Sequence, residues 1–181
     1  SEFSAKLHMA AASTSAPPLF IVLNAASGRA ETQAEIDTIV AILRAAGREH
    51  ELLRVADPTH LAEIVRSAVA RAKKRRGIVV AAGGDGTVNE VANGIIGYDN
   101  AAMSVIPVGT GNDFLKNFGG DMDKFRDAEN LWDGPQFPMD AIDVNGRVAL
   151  TIACSGIDAR VARDVHKYSE SPILDGKSSY I

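Results

Sequence analysis

The 181-residue chain carries 19 Lys and Arg against 23 Asp and Glu, a formal charge of −4, and is 46% hydrophobic but only 6% aromatic. That balance excludes a disordered polar chain and disfavours a nucleic-acid binder, which needs a basic stripe and stacking rings. A lone Cys154 excludes an internal disulfide and favours a reduced, cytoplasmic setting, and no apolar run approaches the roughly 20 residues that span a bilayer.

Residues 1–18 read as cloning-site sequence ending at Met9, followed by a small, Pro-ended leader expected to be disordered. Leu19–Asn24 is a continuous apolar run, the pattern of a strand buried on both faces. Ile36, Ile39, Val40 and Leu43 then repeat at helical spacing until Gly47. His50–Val55 is a second strand. Asp57 and Pro58 start the next helix as cap and first residue. Leu61, Ile64, Val65 and Ala68 share one face of it, and Lys73–Arg76 is expected in its last turn, offsetting the dipole. Gly77–Ala82 and Met103–Ile106 are two further strands, each running into a Gly-rich loop and then a helix. Strands alternating with helices predict an α/β fold, a doubly wound and mostly parallel three-layer domain over residues 19–137. Its ligand would bind at the carboxyl ends of the strands. Pro138–Val144, the dipeptide Asn145-Gly146, and Arg147–Ala153 read as a hairpin with a tight primed turn. The hairpin suggests that residues 138–181 enter a truncated, β-rich second domain, with one more helix before the end.

The chemistry concentrates in three loops. Gly83, Gly84 and Gly86 lie between a buried strand and a helix, where backbone approaches a ligand closely and the helix N-terminus favours phosphate. Asp85 is the acid within this cradle. Beside phosphate it needs a metal or a transferable proton; its structural alternative is to cap the helix. The second loop holds Gly109 and Thr110, with Asn112 and Asp113 opening a helix as caps, ligands or both. The first loop, Asn24-Ala25-Ala26-Ser27-Gly28, gains weight from sharing the same sheet edge.

Together these segments resemble the diacylglycerol kinase catalytic domain family, which includes sphingosine, ceramide and bacterial lipid kinases. Asn24, Ser27 and Gly28 match its first motif, with Ala25 where Pro is usual. Gly83, Gly84, Asp85, Gly86, Thr87, Asn89 and Glu90 match the second throughout. Pro107, Gly109, Thr110, Asn112, Asp113 and Phe114 match the third. The resemblance implies an NAD kinase/phosphofructokinase-like nucleotide domain and an ATP- and Mg²⁺-dependent lipid kinase. Residues 24–28, Gly83 through Asn89 (Val88 included) and Thr110 would hold ATP. Glu90, Gly109, Asn112 and Asp113 would support them. Asp85 would lie near the transferring phosphate or deprotonate the lipid hydroxyl, and Asp158 would face the substrate head group. The implied partners are a nucleotide, a lipid and the inner face of the membrane, met peripherally from the cytoplasm. A homodimer is left open.

The sequence departs from the family pattern at three places. Val55 replaces a nucleotide-contacting Thr, Thr151 stands where Asn is usual, and the Asp-Gly-Glu segment that supplies a base in many bacterial members is absent, since Asp175-Gly176-Lys177 is no substitute. Members of the family continue through a β-rich domain that completes the lipid cleft, and without its acid and lipid wall the chain by itself is expected to be inactive. An NAD kinase shares Gly-Gly-Asp-Gly-Thr but carries its Asn-Glu pair further downstream, so the contiguous Asn89-Glu90 argues against it. A non-catalytic nucleotide-binding module is the other class. No metal-ligand spacing joins His8, His50, His60 and His166, and Cys154 reads as a small strand residue rather than a nucleophile.

Overall fold

The computed structural model describes residues 16–24, 30–72, 75–109, 111–119, 121–155 and 160. Residues 1–15 of the leader, most of the first loop (25–28), Lys73, Thr110, Asp158 and the expected last helix lie outside them, whereas residues 16–18, expected to be disordered, are placed: Pro18 is buried and its carbonyl accepts the Ile78 N–H at 2.9 Å.

Four strands form one parallel sheet: β1 (Leu19–Asn24), β2 (His50–Val55), β3 (Gly77–Gly83) and β4 (Ala101–Pro107), in the order β2-β1-β3-β4. Ile21 pairs with Leu52 on one side and Val80 on the other, and Leu19 through Leu23 all have neighbours on both edges. The alternation along β1 sorts its side chains into two cores. Phe20 and Val22 face α2 (Leu61–Ala72) and α3 (Asp85–Ile95), together with Val79, Ala81, Val65 and Val91. Leu19, Ile21 and Leu23 face α1 (Ala30–Ala45) and meet the helical stripe Ile36, Ile39, Val40 and Leu43. Each fully buried aliphatic side chain contributes on the order of 1.5–3 kcal/mol.

Three short helices follow β4: α4 (Asp113–Lys116), α5 (Met122–Arg126) and α6 (Asn130–Asp133). Leu131 of α6 closes the α1-side core, and Arg48 stacks over Trp132 at 5.4 Å, so Trp132 anchors a helix end. The basic run departs from its expected place. Helix α2 ends at Ala72 with Arg71 in its last turn, and Arg75 lies beyond it, bridging to Glu49 and the Ala16 carbonyl.

The hairpin forms where expected but is shorter, with β5 (Ile142–Val144) antiparallel to β6 (Arg147–Ala149). Asn145 (φ 53°) and Gly146 (φ 82°) both take the left-handed region that a type I′ turn requires. Asp143 Oδ1 accepts the Gly146 N–H at 2.8 Å and fixes the turn. No helix among the described residues is long and apolar enough to cross a membrane.

The winding creates the site. From β1 the chain passes through α1 on one face to β2, then through α2 on the opposite face to β3. The connections leaving β1 and β3 therefore diverge onto opposite faces, and a crevice opens at their carboxyl ends.

Candidate functional site

A cleft of about 580 Å³ occupies that crevice. Asn24 enters it from the end of β1, and Gly84, Gly86 and Thr87 from the start of α3. Its volume falls in the range of small-molecule sites. Pro58, Thr59 and Leu61 form a second wall, at the 3₁₀ turn leading into α2. There Asp57 caps as expected: Oδ1 accepts the Thr59 N–H at 2.9 Å and the Thr59 hydroxyl at 2.7 Å. These bonds, aided by the charge of His60, hold its carboxyl below the usual value of 3.8.

Asp85 does not cap its own helix. Gly84 is the N-cap of α3, in an extended conformation and without a side-chain cap bond. The first turn of this 11-residue helix thus presents N–H groups and the positive dipole end beside the cleft. Asp85 instead turns toward the second loop, where Oδ1 accepts the Phe114 N–H at 2.9 Å. It caps α4 across 29 residues of sequence, a task the sequence assigned to Asn112 or Asp113. Asn112 holds a left-handed conformation (φ 49°), and its Nδ2 donates to the Gly109 carbonyl at 2.8 Å, shaping the loop rather than the helix. Phe114 is buried beneath α3.

The two Gly-rich loops cross in direct backbone contact. A Cβ added at Gly109 would lie 2.4 Å from Gly84 Cα. One added at Gly83 would lie 2.5 Å from Thr87 Cβ, whereas one at Gly86 would meet nothing within 4 Å. The first two glycines serve packing; Gly86 opens onto the cleft and leaves room for a ligand. Near Gly111 two carboxylates converge, since a Cβ there would lie 3.1 Å from Asp85 Oδ2 and 3.8 Å from Asp113 Oδ2. Lys116 hydrogen-bonds Asp113, which raises its pKa, with a smaller contribution from the charge of Asp85. Among the described residues no three His, Cys, Asp or Glu side chains form a protein-only metal site.

The third wall joins Asn89 and Glu90 of α3, both singled out in the sequence, to Arg147 of the hairpin, which the sequence reading missed. Arg147 bridges to Glu90. Buried Asn93 pairs with Val148 as a neighbouring strand would. Its Oδ1 accepts the Val148 N–H at 2.9 Å, and its Nδ2 donates to the Val148 carbonyl at 2.9 Å and to the Asn89 carbonyl at 2.9 Å. Asn89, expected to hold phosphate, accepts the Leu150 N–H at 3.2 Å through Oδ1. The available signal was a carboxamide one helical turn after Asn89, in the otherwise apolar second half of α3, where Asn is disfavoured unless bonded.

The profile of the diacylglycerol kinase catalytic domain matches residues 18–144. The diacylglycerol kinase of Bacillus subtilis strain 168 is 34% identical over 150 residues, covering 80% of this chain and 48% of the relative. A Pseudomonas aeruginosa PAO1 protein named "Probable lipid kinase YegS-like" is 33% identical over 141 residues, 77% of this chain and 45% of its own length. The chain thus spans about half the length of the curated relatives it matches. Among solved structures, a diacylglycerol kinase from Bacillus anthracis strain Sterne superposes with a TM-score of 0.58 at 23% identity, over 86% of this chain and 54% of that one. A second structure from that organism gives 0.59 at 26% identity, over 75% and 48%. The architecture is the NAD kinase-like α/β fold of these neighbours, and the chain belongs to the diacylglycerol kinase catalytic domain family.

Proposed function

We propose that this chain is the nucleotide-binding half of an ATP-dependent lipid kinase, which phosphorylates the hydroxyl of a lipid alcohol such as diacylglycerol. The observation that carries the reading is the cleft itself, at the diverging ends of β1 and β3, walled by glycine backbone and the uncapped start of α3. The names of its relatives, a diacylglycerol kinase and a lipid kinase, support a lipid as the second substrate.

In this reading the helix N–H groups of Asp85, Gly86 and Thr87 receive phosphate oxygens. Asn24, residues 25–28 and Thr110 complete the nucleotide contacts. Mg²⁺, brought in with the nucleotide, would supply charge neutralisation for the transferring phosphoryl group. Such an ion keeps several waters and phosphate oxygens and needs only one or two carboxylates. Asp85 and Asp113, which converge on Gly111, suit that requirement. Asp85 contributes either there or as proton acceptor for the lipid hydroxyl. Asp158 recognises the head group. Residues 138–181 enter the domain that completes the lipid site, and contact with the membrane is peripheral, from the cytoplasmic side. The 181-residue chain alone is expected to transfer no phosphate at a normal rate.

The test offers labelled ATP with diacylglycerol, a sphingoid base and a polyprenol to the protein at the full length of its relatives. Label on one lipid is the expected result. Label on NAD and on no lipid would contradict it. Asp85→Asn retains an oxygen to accept the Phe114 N–H, so the melting temperature should hold while turnover falls by about 10²-fold or more. Unchanged turnover would make Asp85 purely structural.

A further inference from the structure

The cleft has one cation among its described lining residues, and that cation comes from outside the parallel sheet: Arg147, the first residue of β6. We propose that Arg147 is the phosphate-recognising residue of this cleft, and that Glu90 holds it in place until a polyphosphate displaces the carboxylate. The inference rests on the nucleotide reading of the cleft.

The backbone geometry fixes where Arg147 stands. In a two-residue hairpin the residues flanking the turn, here Val144 and Arg147, form a hydrogen-bonded pair, so the next residue on β6 directs its N–H and carbonyl away from β5. Those outward groups of Val148 are the ones Asn93 takes, and Asn89 takes the N–H of Leu150 two residues on. The match has a simple basis. Four residues of helix rise about 6 Å and two residues of strand about 6.6 Å, so carboxamides at i and i+4 meet alternate outward groups of a strand. The clamp docks β6 on α3 in one register. Arg147, adjacent to Val148, is thereby set at the mouth of the cleft, facing Glu90 one turn earlier on the same helix.

Charge then assigns the role. A polyphosphate brings several negative charges, of which a helix N-terminus offsets about half of one. Glu90 on the same wall would repel it. Arg147 is the only cation lining the wall among the described residues, and a guanidinium pairs with phosphate through two parallel N–H donors. Its present partner is readily exchanged, because the Arg147 side chain is 65% exposed and such pairs contribute little.

Calorimetry of the 181-residue chain with ATP and, separately, inorganic tripolyphosphate tests this. Arg147→Met should weaken both by about tenfold, with Arg147→Lys recovering part of the loss. Protection of the Val148 amide from exchange shows that the hairpin stays docked in each variant. Glu90→Gln removes the competitor and should tighten tripolyphosphate by about threefold. Wild-type affinity in Arg147→Met, or weaker binding in Glu90→Gln, would overturn the proposal while leaving the nucleotide reading intact. A wild-type chain that binds neither ligand would overturn both.

Discussion

Strands β3 and β5 show two ways of building one cleft. All seven residues of β3 are buried between α1 on one face and α2 and α3 on the other. All three residues of β5 are exposed, and Ile142, Val144, Phe137, Met139 and Ile152 present large apolar side chains to solvent around it. The sheet places Gly83 and Gly84 through hydrophobic burial, the dominant stabilising force. The hairpin places Arg147 through polar bonds from Asn89, Glu90 and Asn93. A wall held by few polar bonds opens at lower free energy than one held by a core. The cleft therefore has a fixed side and a side that can yield.

The largest effect should separate the two regions outright. Ile21→Ala, at a fully buried position on β1, should lower global stability by about 2–5 kcal/mol in denaturant titration. Ile142→Ala on β5, which is 48% exposed, should stay within about 0.5 kcal/mol. Comparable losses would mean that the hairpin is part of the core.

Next come the glycines at the fixed side. Gly109→Ala drives a methyl into Gly84 and should cost about 1–3 kcal/mol, since neither backbone can move aside cheaply. Gly86→Ala meets no neighbour and replaces a helical glycine, so stability should rise by about 0.5–1 kcal/mol while ATP affinity falls. A Gly86→Ala chain with unimpaired ATP affinity would argue that phosphate does not approach there.

Asn93→Ala probes the yielding side. It strands the N–H and carbonyl of Val148, so local opening of the hairpin should become easier by about 1–3 kcal/mol in amide exchange, with β1 and β3 unchanged. Loss of protection throughout the sheet would refute the division into two regions.

The smallest effect concerns Asp57. Its carboxyl titrates below 3.8 when folded, because Thr59 bonds favour the ionised form. The sign follows: its stabilisation is present above pH 3.8 and disappears as pH falls through the lower, folded-state value. Asp57→Ala should melt slightly below wild type at pH 7, and the gap should close at the acid end. A gap independent of pH would exclude the ionised cap.

Much of the fold was legible because burial and chain direction leave periodic marks. The apolar run of β1 gave its bounds, the stripe from Ile36 to Leu43 gave α1, and Asn145-Gly146 gave the turn. What escaped was set by contacts between distant segments. Nothing near Asp85 in sequence reveals that it caps α4 at Phe114. Nothing near Asn93 reveals a strand 55 residues later. Helices α5 and α6 are single turns, too short for a helical period to register. In the site, the Gly-rich motifs marked the loops that meet at the strand ends, while Arg147 became visible only once the hairpin was docked.

The central claim is that nucleotide phosphate binds between the start of α3 and the hairpin. Backbone amide shifts recorded while Mg²⁺-ATP is titrated into the isotope-labelled chain test it most directly. The account predicts saturable shifts centred on Gly84, Gly86, Thr87 and Arg147, with β2 and α1 little changed. Saturable shifts centred away from this cleft, or none at millimolar ATP, would contradict it.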